Sequence, residues 1–381
     1  MNPIISALFI GPTFLVALLI FSNFNKVNIA ANRWFGIFIV CVFLIQFNGL
    51  VYDHHFFVSY PHIYELLDLV NYIVAPVFFF GIVYFVEPNR KWQFTDNLHF
   101  LFGFLMLILT LLTFMVRVSS TPVKSQADKE LESTVMVVFT IIFCAQVLPY
   151  CVVAFFKITR YQKNLFLYSS NTEKVNLGWL KKVVICVFFI AVLWLMDGLF
   201  QLSSTSPAFD SFSNVLYFVG ICYIAYHSLK QREIFPYNKE EKEEIEIVIE
   251  ETDITNTRKK LISDEKLAAE KQTLLALVTS EKPYLDYEIS LIKLARQINT
   301  SPHMLSYIIN TGFNENFFQF INRYRIEEAK RMILDPDLNH LTITGIAFEA
   351  GFNSKTVFNT TFKKMTGKTP TEFKKSSQLT G

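Results

Sequence analysis

The feature that most constrains this chain is a series of seven apolar stretches in its first 230 residues, at roughly 4–22, 34–51, 63–86, 98–116, 134–156, 183–202 and 212–229. Each runs to about 18–24 residues, which at about 1.5 Å per residue reaches across about 30 Å of hydrocarbon. A single stretch of this kind could be the buried helix of a soluble protein. Seven in succession predict a helical membrane bundle, because a helix satisfies its own backbone polar groups within lipid. The first stretch has no basic residues before it and is longer than the apolar core of a secretory signal, so it is expected to be a span.

An odd number of spans places the two ends of the chain on opposite sides, and basic loop residues decide which side is which. With the N-terminus outside, the inner flanks hold twelve lysines and arginines, Arg90, Lys91, Lys181 and Lys182 among them. The outer flanks then hold three: Arg117, Lys124 and Lys129. This bias predicts a multi-pass protein of a bacterial inner membrane whose C-terminal part is cytoplasmic. The outer loops are short, the longest at about 117–133, and leave no room for a folded sensor domain.

Ionisable groups near spans need a partner or a task. Asp53, His54, His55, Glu65, Asp68 and Asp197 gather toward the outer face by this topology. They form a candidate sensory cluster for a small cationic or hydrogen-bonding ligand, or for a metal. The alternative is that the carboxylates pair with interfacial groups and the histidines are ordinary loop residues. Pro76 and Pro149 are expected to kink their helices, since each removes a backbone donor. The cysteines, Cys41, Cys144, Cys151, Cys186 and Cys222, fall in apolar runs without zinc-like spacing and read as small core residues.

Charge divides the chain into three parts. Residues 1–236 carry 15 basic and 12 acidic side chains, 237–283 carry 8 and 12, and 284–381 carry 12 and 9, for net charges of +3, −4 and +3. The expected domains are a seven-span region (1–232), an acidic connector with an amphipathic helix (233–283), and a basic terminal domain (284–381). The run "PYNKEEKEEIEIVIEETDITNTRKK" (236–260) reads as solvated or only partly helical. Leu261, Leu267, Leu274, Leu275 and Val278 then recur at helical spacing and predict a helix packed on the terminal domain or on its copy in a dimer.

In the terminal domain, Leu291, Leu294, Ala295 and Ile298 share one helical face. Ser301 then suits an N-cap and Pro302 the first helical position of a second helix, so the pair predicts a helix-turn-helix. The same grammar returns in "GIAFEAGFNSKTVFNTTFKKMTGKTP" (345–370). Thr342 caps a first helix, Gly351 ends it in the left-handed conformation, Ser354 caps a second, and Gly367 ends that one. Thr369–Glu372 fits a capping box for a last short helix. Between the units, residues 316–334 read as one longer helix with a Glu327–Arg331 pair.

Two such units in about 90 residues, carried by "INRYRIEEAKRMIL" (321–334) and "IAFEAGFNSKTVFNTTFKKMTGKTPTEFKK" (346–375), closely resemble the DNA-binding domain of the AraC/XylS family of bacterial transcription regulators. The likeness covers about residues 284–376, and the architecture is similar to the membrane-anchored members of that family. It implies that two recognition helices enter successive major-groove segments. Base-facing residues would be His303, Ser306 and Tyr307 in the first, and Lys355, Thr356, Asn359 and Thr360 in the second. Asn, Lys and Thr suit adenine, guanine and thymine edges respectively, while Arg323, Lys363 and Lys364 suit phosphates. The chain departs from the family at Thr360, where arginine is frequent, so a guanine contact is missing there.

The expected whole is all-α: a seven-helix transmembrane bundle followed by a soluble double helix-turn-helix domain, acting as a one-component transcription regulator. Its partners would be promoter DNA, the lipid bilayer, RNA polymerase, a second copy of the chain, and a small ligand or membrane partner. The competing expectation is a receptor or transporter with an appended regulatory domain. No phosphate-cradling glycine loop, nucleophile motif or kinase machinery is present, so neither catalysis nor a cofactor is expected.

Overall fold

The computed structural model describes residues 3–22, 27–53, 61–117, 126–172, 175–200, 207–231, 239–254 and 261–378. Among these the chain is helical throughout, with no strand and a single isolated antiparallel bridge between Ser169 and Ser290. It divides into two compact units, one of Met1–Thr159 with Leu177–Ile234, the other of Arg160–Asn176 with Phe235–Gly381.

The first unit contains α1 (Pro3–Ser22), α2 (Ile29–Asp53), α3 (Pro61–Asp68), α4 (Val74–Val86), α5 (Leu101–Arg117), most of α6 (Gln126–Tyr168), α7 (Gly178–Phe200) and α8 (Pro207–Lys230). These helices follow the seven apolar stretches. Among the described residues, however, three helices are long and apolar enough to cross a membrane: Ile29–Asn48, Phe94–Leu112 and Ile141–Tyr168. A fourth span is made if Leu66–Tyr72 and Val74–Val86, bent by 45°, count as one. Against the expected seven, three or four candidate spans stand among the described residues.

The bend has a local cause. Pro76 cannot donate to the carbonyl of Tyr72 four residues earlier, and residues Leu69–Tyr72 tighten into a 3₁₀ turn. The freed Tyr72 carbonyl accepts from Gln146 Nε2 at 3.1 Å, so a neighbouring helix replaces the lost bond. Pro149, by contrast, lies inside α6, which runs unbroken from Gln126 to Tyr168. Helices α2 and α4 pack closely because Gly81 lies under the ring of Phe35, where a Cβ would stand 3.2 Å from it. At one end of this packing Trp34 stacks on Trp92 (5.7 Å). The adjoining loop is held by a bidentate Arg90–Asp96 pair (2.7 and 2.5 Å) and by Lys157 on Glu87 (2.7 Å). Cys41, Cys144 and Cys151 are buried as expected, but Cys186 and Cys222 lie exposed on their helices.

The second unit contains α9 (Lys239–Ile254), α10 (Asp264–Glu281), α11 (Leu291–Gln297), α12 (Pro302–Gly312), α13 (Phe317–Leu334), α14 (Ile343–Glu349), α15 (Lys355–Thr366) and α16 (Pro370–Gln378). Its core lies in two parts strung on α13. Phe317, Phe320 and Ile321 face Leu291, Leu294, Leu305 and Ile308, while Ile326, Ala329 and Ile333 face Ile346, Ala347, Phe358 and Phe362. Leu274 and Val278 of α10 are buried in the first part, and Leu267 packs against it.

Two features of this unit differ from expectation. The acidic run is a regular helix, α9, with Ile245 and Val248 buried in the same core. Apolar residues three apart give it an anchoring face, and Glu240 and Glu241 in its first turn favour the helix dipole. In addition, the end of α6 and the residues after it belong to this unit. Leu165 and Tyr168 enter its core, Phe166 meets Phe318 edge-on at 4.8 Å, and Ser170 Oγ donates to the Ile289 carbonyl at 2.7 Å.

Candidate nucleic-acid interface

Both helix pairs of the second unit are built by the same local chemistry. In the second pair, Thr342 caps α14 by accepting from the Gly345 amide (3.0 Å) and Ser354 caps α15 by accepting from Val357 (3.4 Å). Between them Phe352 donates to Ala347 O and Gly351 to Phe348 O, both at 2.9 Å, which satisfies the last carbonyls of α14 in a Schellman turn. Gly351 has φ +87°, and a Cβ there would come within 2.4 Å of the Tyr284 carbonyl, so only glycine fits. The first pair repeats the turn with Asn299 (φ +53°) in the left-handed position, Thr300 donating to Ala295 O at 3.0 Å. Ser301 caps α12 through the Met304 amide (3.1 Å). The expected extra residue in the second turn is Asn353, since Gly351–Asn353 separates the caps there and Asn299–Thr300 in the first. Gly367 (φ +77°) ends α15, and Thr369 and Glu372 form the reciprocal capping box of α16 (2.8 and 3.3 Å).

Arg325 joins the parts of the unit. It is 1 % exposed and donates to Tyr284 O (2.7 Å), Asp286 O (2.9 Å), Ser170 Oγ (3.3 Å) and Asn322 Oδ1 (3.5 Å). Its guanidinium lies 5.7 Å from the Phe352 ring centre. Burial pushes its pKa down to about 10, against the upward pull of Asp286, so it remains a cation at neutral pH. Sequence reasoning missed it. The available signal was its position on the apolar stripe of α13, four residues from both Ile321 and Ala329.

The residues singled out for DNA fall into different settings. On α15, Lys355, Thr356, Thr360, Lys363 and Lys364 are exposed and Asn359 is half-buried, so they share one accessible polar face opposite Phe358 and Phe362. On α12, His303 and Tyr307 are half-buried, and Ser306 is 8 % exposed with its hydroxyl accepting from Asn310 Nδ2 (3.3 Å). Ser306 is thus largely covered by its neighbours in this structure. Arg323 is likewise engaged within the domain. Glu315 holds it in a fork at 2.9–3.2 Å, and it lies over Tyr324 at 4.6 Å. The expected Glu327–Arg331 pair is replaced by Glu327–Lys330 (2.9 Å) and Arg331–Glu328 (2.8 Å).

Of the outer sensory cluster, His54 and His55 lie outside the described residues, as do the side chains of Asp53, Glu65 and Asp197. Asp68 accepts from Asn71 Nδ2 at 2.7 Å. Elsewhere in the first unit a cavity of about 440 Å³ opens between helices, lined chiefly by apolar side chains such as Phe38, Phe78, Phe143 and Ile190, with Gln46, Asn71 and Lys182 as polar groups.

Residues 294–376 match a helix-turn-helix domain family. An uncharacterized HTH-type transcriptional regulator of Staphylococcus aureus (strain COL) is 36% identical over 87 residues, covering 23% of this chain and 11% of that protein. One of Pseudoalteromonas carrageenovora is 31% identical over 101 residues, 26% of this chain and 57% of that protein. A solved structure from Listeria innocua, described as a protein of unknown function, is 28% identical and covers 27% of this chain and 93% of that one, with a TM-score of 0.24. The chain therefore spans only part of the curated relatives it matches. The C-terminal part is a helix-turn-helix domain, and the two curated relatives are named as HTH-type transcriptional regulators.

Proposed function

We propose that the chain is a membrane-embedded, one-component transcription regulator of the AraC type, binding promoter DNA through its two helix-turn-helix units. The observation that carries this reading is the exposed polar face of α15, where Lys355, Thr356 and Thr360 stand clear of the core with Lys363 and Lys364 beside them. Groove-facing amide and ammonium groups would read bases, and the flanking lysines would meet phosphates. The excess of basic residues on the inner flanks supports a multi-span bundle with its N-terminus outside and the DNA-binding unit in the cytoplasm. Dimerisation and contact with RNA polymerase belong to the same reading.

The first unit is the sensor in this proposal. Its cavity is apolar over most of its lining, which favours a lipid-soluble signal over the cationic ligand suggested by the outer carboxylates. The same lining argues against an ion-conducting transporter, which needs a polar pathway.

The test is a mobility shift with the full chain in detergent and the DNA upstream of its own gene. Affinity should fall steeply with salt as phosphate contacts release counterions. The double variant Lys355→Ala, Asn359→Ala should lose about 2–6 kcal/mol of specific binding, from two base contacts of about 1–3 kcal/mol each. Binding indifferent to salt, or a double variant that binds as well as wild type, would remove the DNA reading.

A further inference from the structure

The two recognition helices differ in how open they are. Helix α15 presents exposed residues, whereas the polar residues of α12, His303, Tyr307 and Asn310, are half-buried and no residue of Pro302–Gly312 is fully exposed. Groove insertion requires an open face on the helix that reads. Helices α10, α11 and α13 pack on α12 as the body of the domain, and α9 packs on it as well. The anchors of α9 are Ile245 and Val248, each 1 % exposed and sharing a core with Leu305, Ile308 and Ile309 of α12. A charged contact reinforces them. Glu241 Oε1 accepts from Arg296 Nη2 at 2.6 Å, so a carboxylate occupies an arginine at the end of the helix preceding α12. Helix α9 carries eight carboxylates and two lysines, a net charge of −6. Such a helix beside a DNA-reading element repels phosphates and holds the local cation that phosphates would otherwise attract.

We infer that α9 is a built-in competitor of DNA: docked on α12 it holds the first helix-turn-helix closed, and its release opens that unit to the groove. This inference rests on the DNA-binding reading above. Helix α9 begins at Lys239, with eight residues between it and the end of α8 at Lys230, so a short connection links the segment that reports the state of the bundle to the segment that masks the reader. With α9 docked, α15 alone meets DNA. With α9 free, both helices do, and the apparent affinity rises by the inverse of the undocked fraction, about 100-fold if one molecule in about a hundred is open.

The experiment compares the full chain in detergent with two variants, using the upstream duplex and a random-sequence duplex at low salt. The first, Ile245→Asp with Val248→Asp, removes the anchors. The second, Glu241→Gln, Glu243→Gln, Glu244→Gln and Glu246→Gln, keeps the anchors and so keeps the fold, but removes the carboxylate charge facing Arg296 and lowers the repulsion. Both variants are expected to bind about ten-fold or more tightly than wild type, with unchanged helical circular dichroism. With the first variant unfolded, tightening by the second on the upstream duplex beyond that on the random duplex still supports the masking role, whereas equal tightening on both duplexes is charge alone and overturns it. Wild-type affinity in the folded variants overturns it while leaving the DNA reading intact. Failure of wild type and both variants on either duplex overturns the DNA reading, and this inference with it.

Discussion

Replacing Arg325 tests whether the second unit is held by hydrogen bonds to a buried cation. Its two shortest bonds, to the Tyr284 and Asp286 carbonyls at 2.7 and 2.9 Å, would be lost in Arg325→Ala. Leaving two buried carbonyls unpaired costs about 1–3 kcal/mol each. Losing the two buried methylenes beyond Cβ adds about 2 kcal/mol. Against this, the charge no longer has to be buried. Burial holding its pKa down at about 10 puts that relief at roughly 3 kcal/mol. The balance is a destabilisation of about 3 kcal/mol for alanine and about 1 kcal/mol for methionine, which keeps the stem. Tryptophan fluorescence is blind to this unit, because Trp34, Trp92, Trp179 and Trp194 all lie in the other. The assay is hydrogen exchange of α11 and α13 amides in the full chain, where about 3 kcal/mol appears as exchange roughly 100-fold faster. A methionine variant more protected than wild type would show that desolvation outweighs the bonds, and the reasoning would fail.

Other outcomes follow from single sites. Gly351→Ala meets both a left-handed φ and the Tyr284 carbonyl at 2.4 Å, and should cost about 3 kcal/mol or more. Gly367→Ala has the same kind of φ in open space and should cost only about 1 kcal/mol; equal thermal shifts would contradict this account. A fragment of residues 235–381 lacks Leu165, Tyr168 and Ser170, and should melt lower than the same fragment given a peptide of residues 160–176. A peptide without effect would argue against those contacts. The Arg331 hydrogen bond, opposed by burial, and the Lys282 charge hold the Glu328 carboxyl below its ordinary value. Its stabilisation is therefore present above about pH 4.5 and lost as pH falls through the lower folded value. Glu328→Gln should flatten that acid-side loss in hydrogen exchange of α13.

The terminal domain was legible where its rules are local. Ser301, Thr342, Ser354, Gly351 and Gly367 each act on amides or carbonyls within a few residues, so spacing alone places them. The parts that were not legible depend on distance. Ser170 meets Ile289 across 119 positions and Arg325 across 155, and nothing in "KITRYQKNLFLYSS" distinguishes a docked segment from a membrane-proximal loop. Helix α9 was hidden by its own charge. Eight carboxylates suggested solvation, although Ile245 and Val248 already lay on one helical face. The candidate site divided in the same way. The polar side of α15 follows from period alone, whereas the covering of α12 is a tertiary fact, and Arg323 looked free until Glu315 was seen beside it. The seven-span count used stretch length alone and had no means of registering the 3₁₀ break before Val74.

Segment 160–176 bears on how this protein can be taken apart. Its DNA-reading domain is assembled from two separate pieces of chain, one of them enclosed between helices of the other unit. A gene fusion made at the linker between α8 and α9 would move the longer piece and leave the shorter one behind. The transplanted reader would arrive without two side chains of its core, Leu165 and Tyr168, and without the hydroxyl that bridges Ile289 and Arg325. Conversely, cleavage of the linker between α8 and α9 would cut the backbone without dispersing the domain, since the enclosed segment would still grip it.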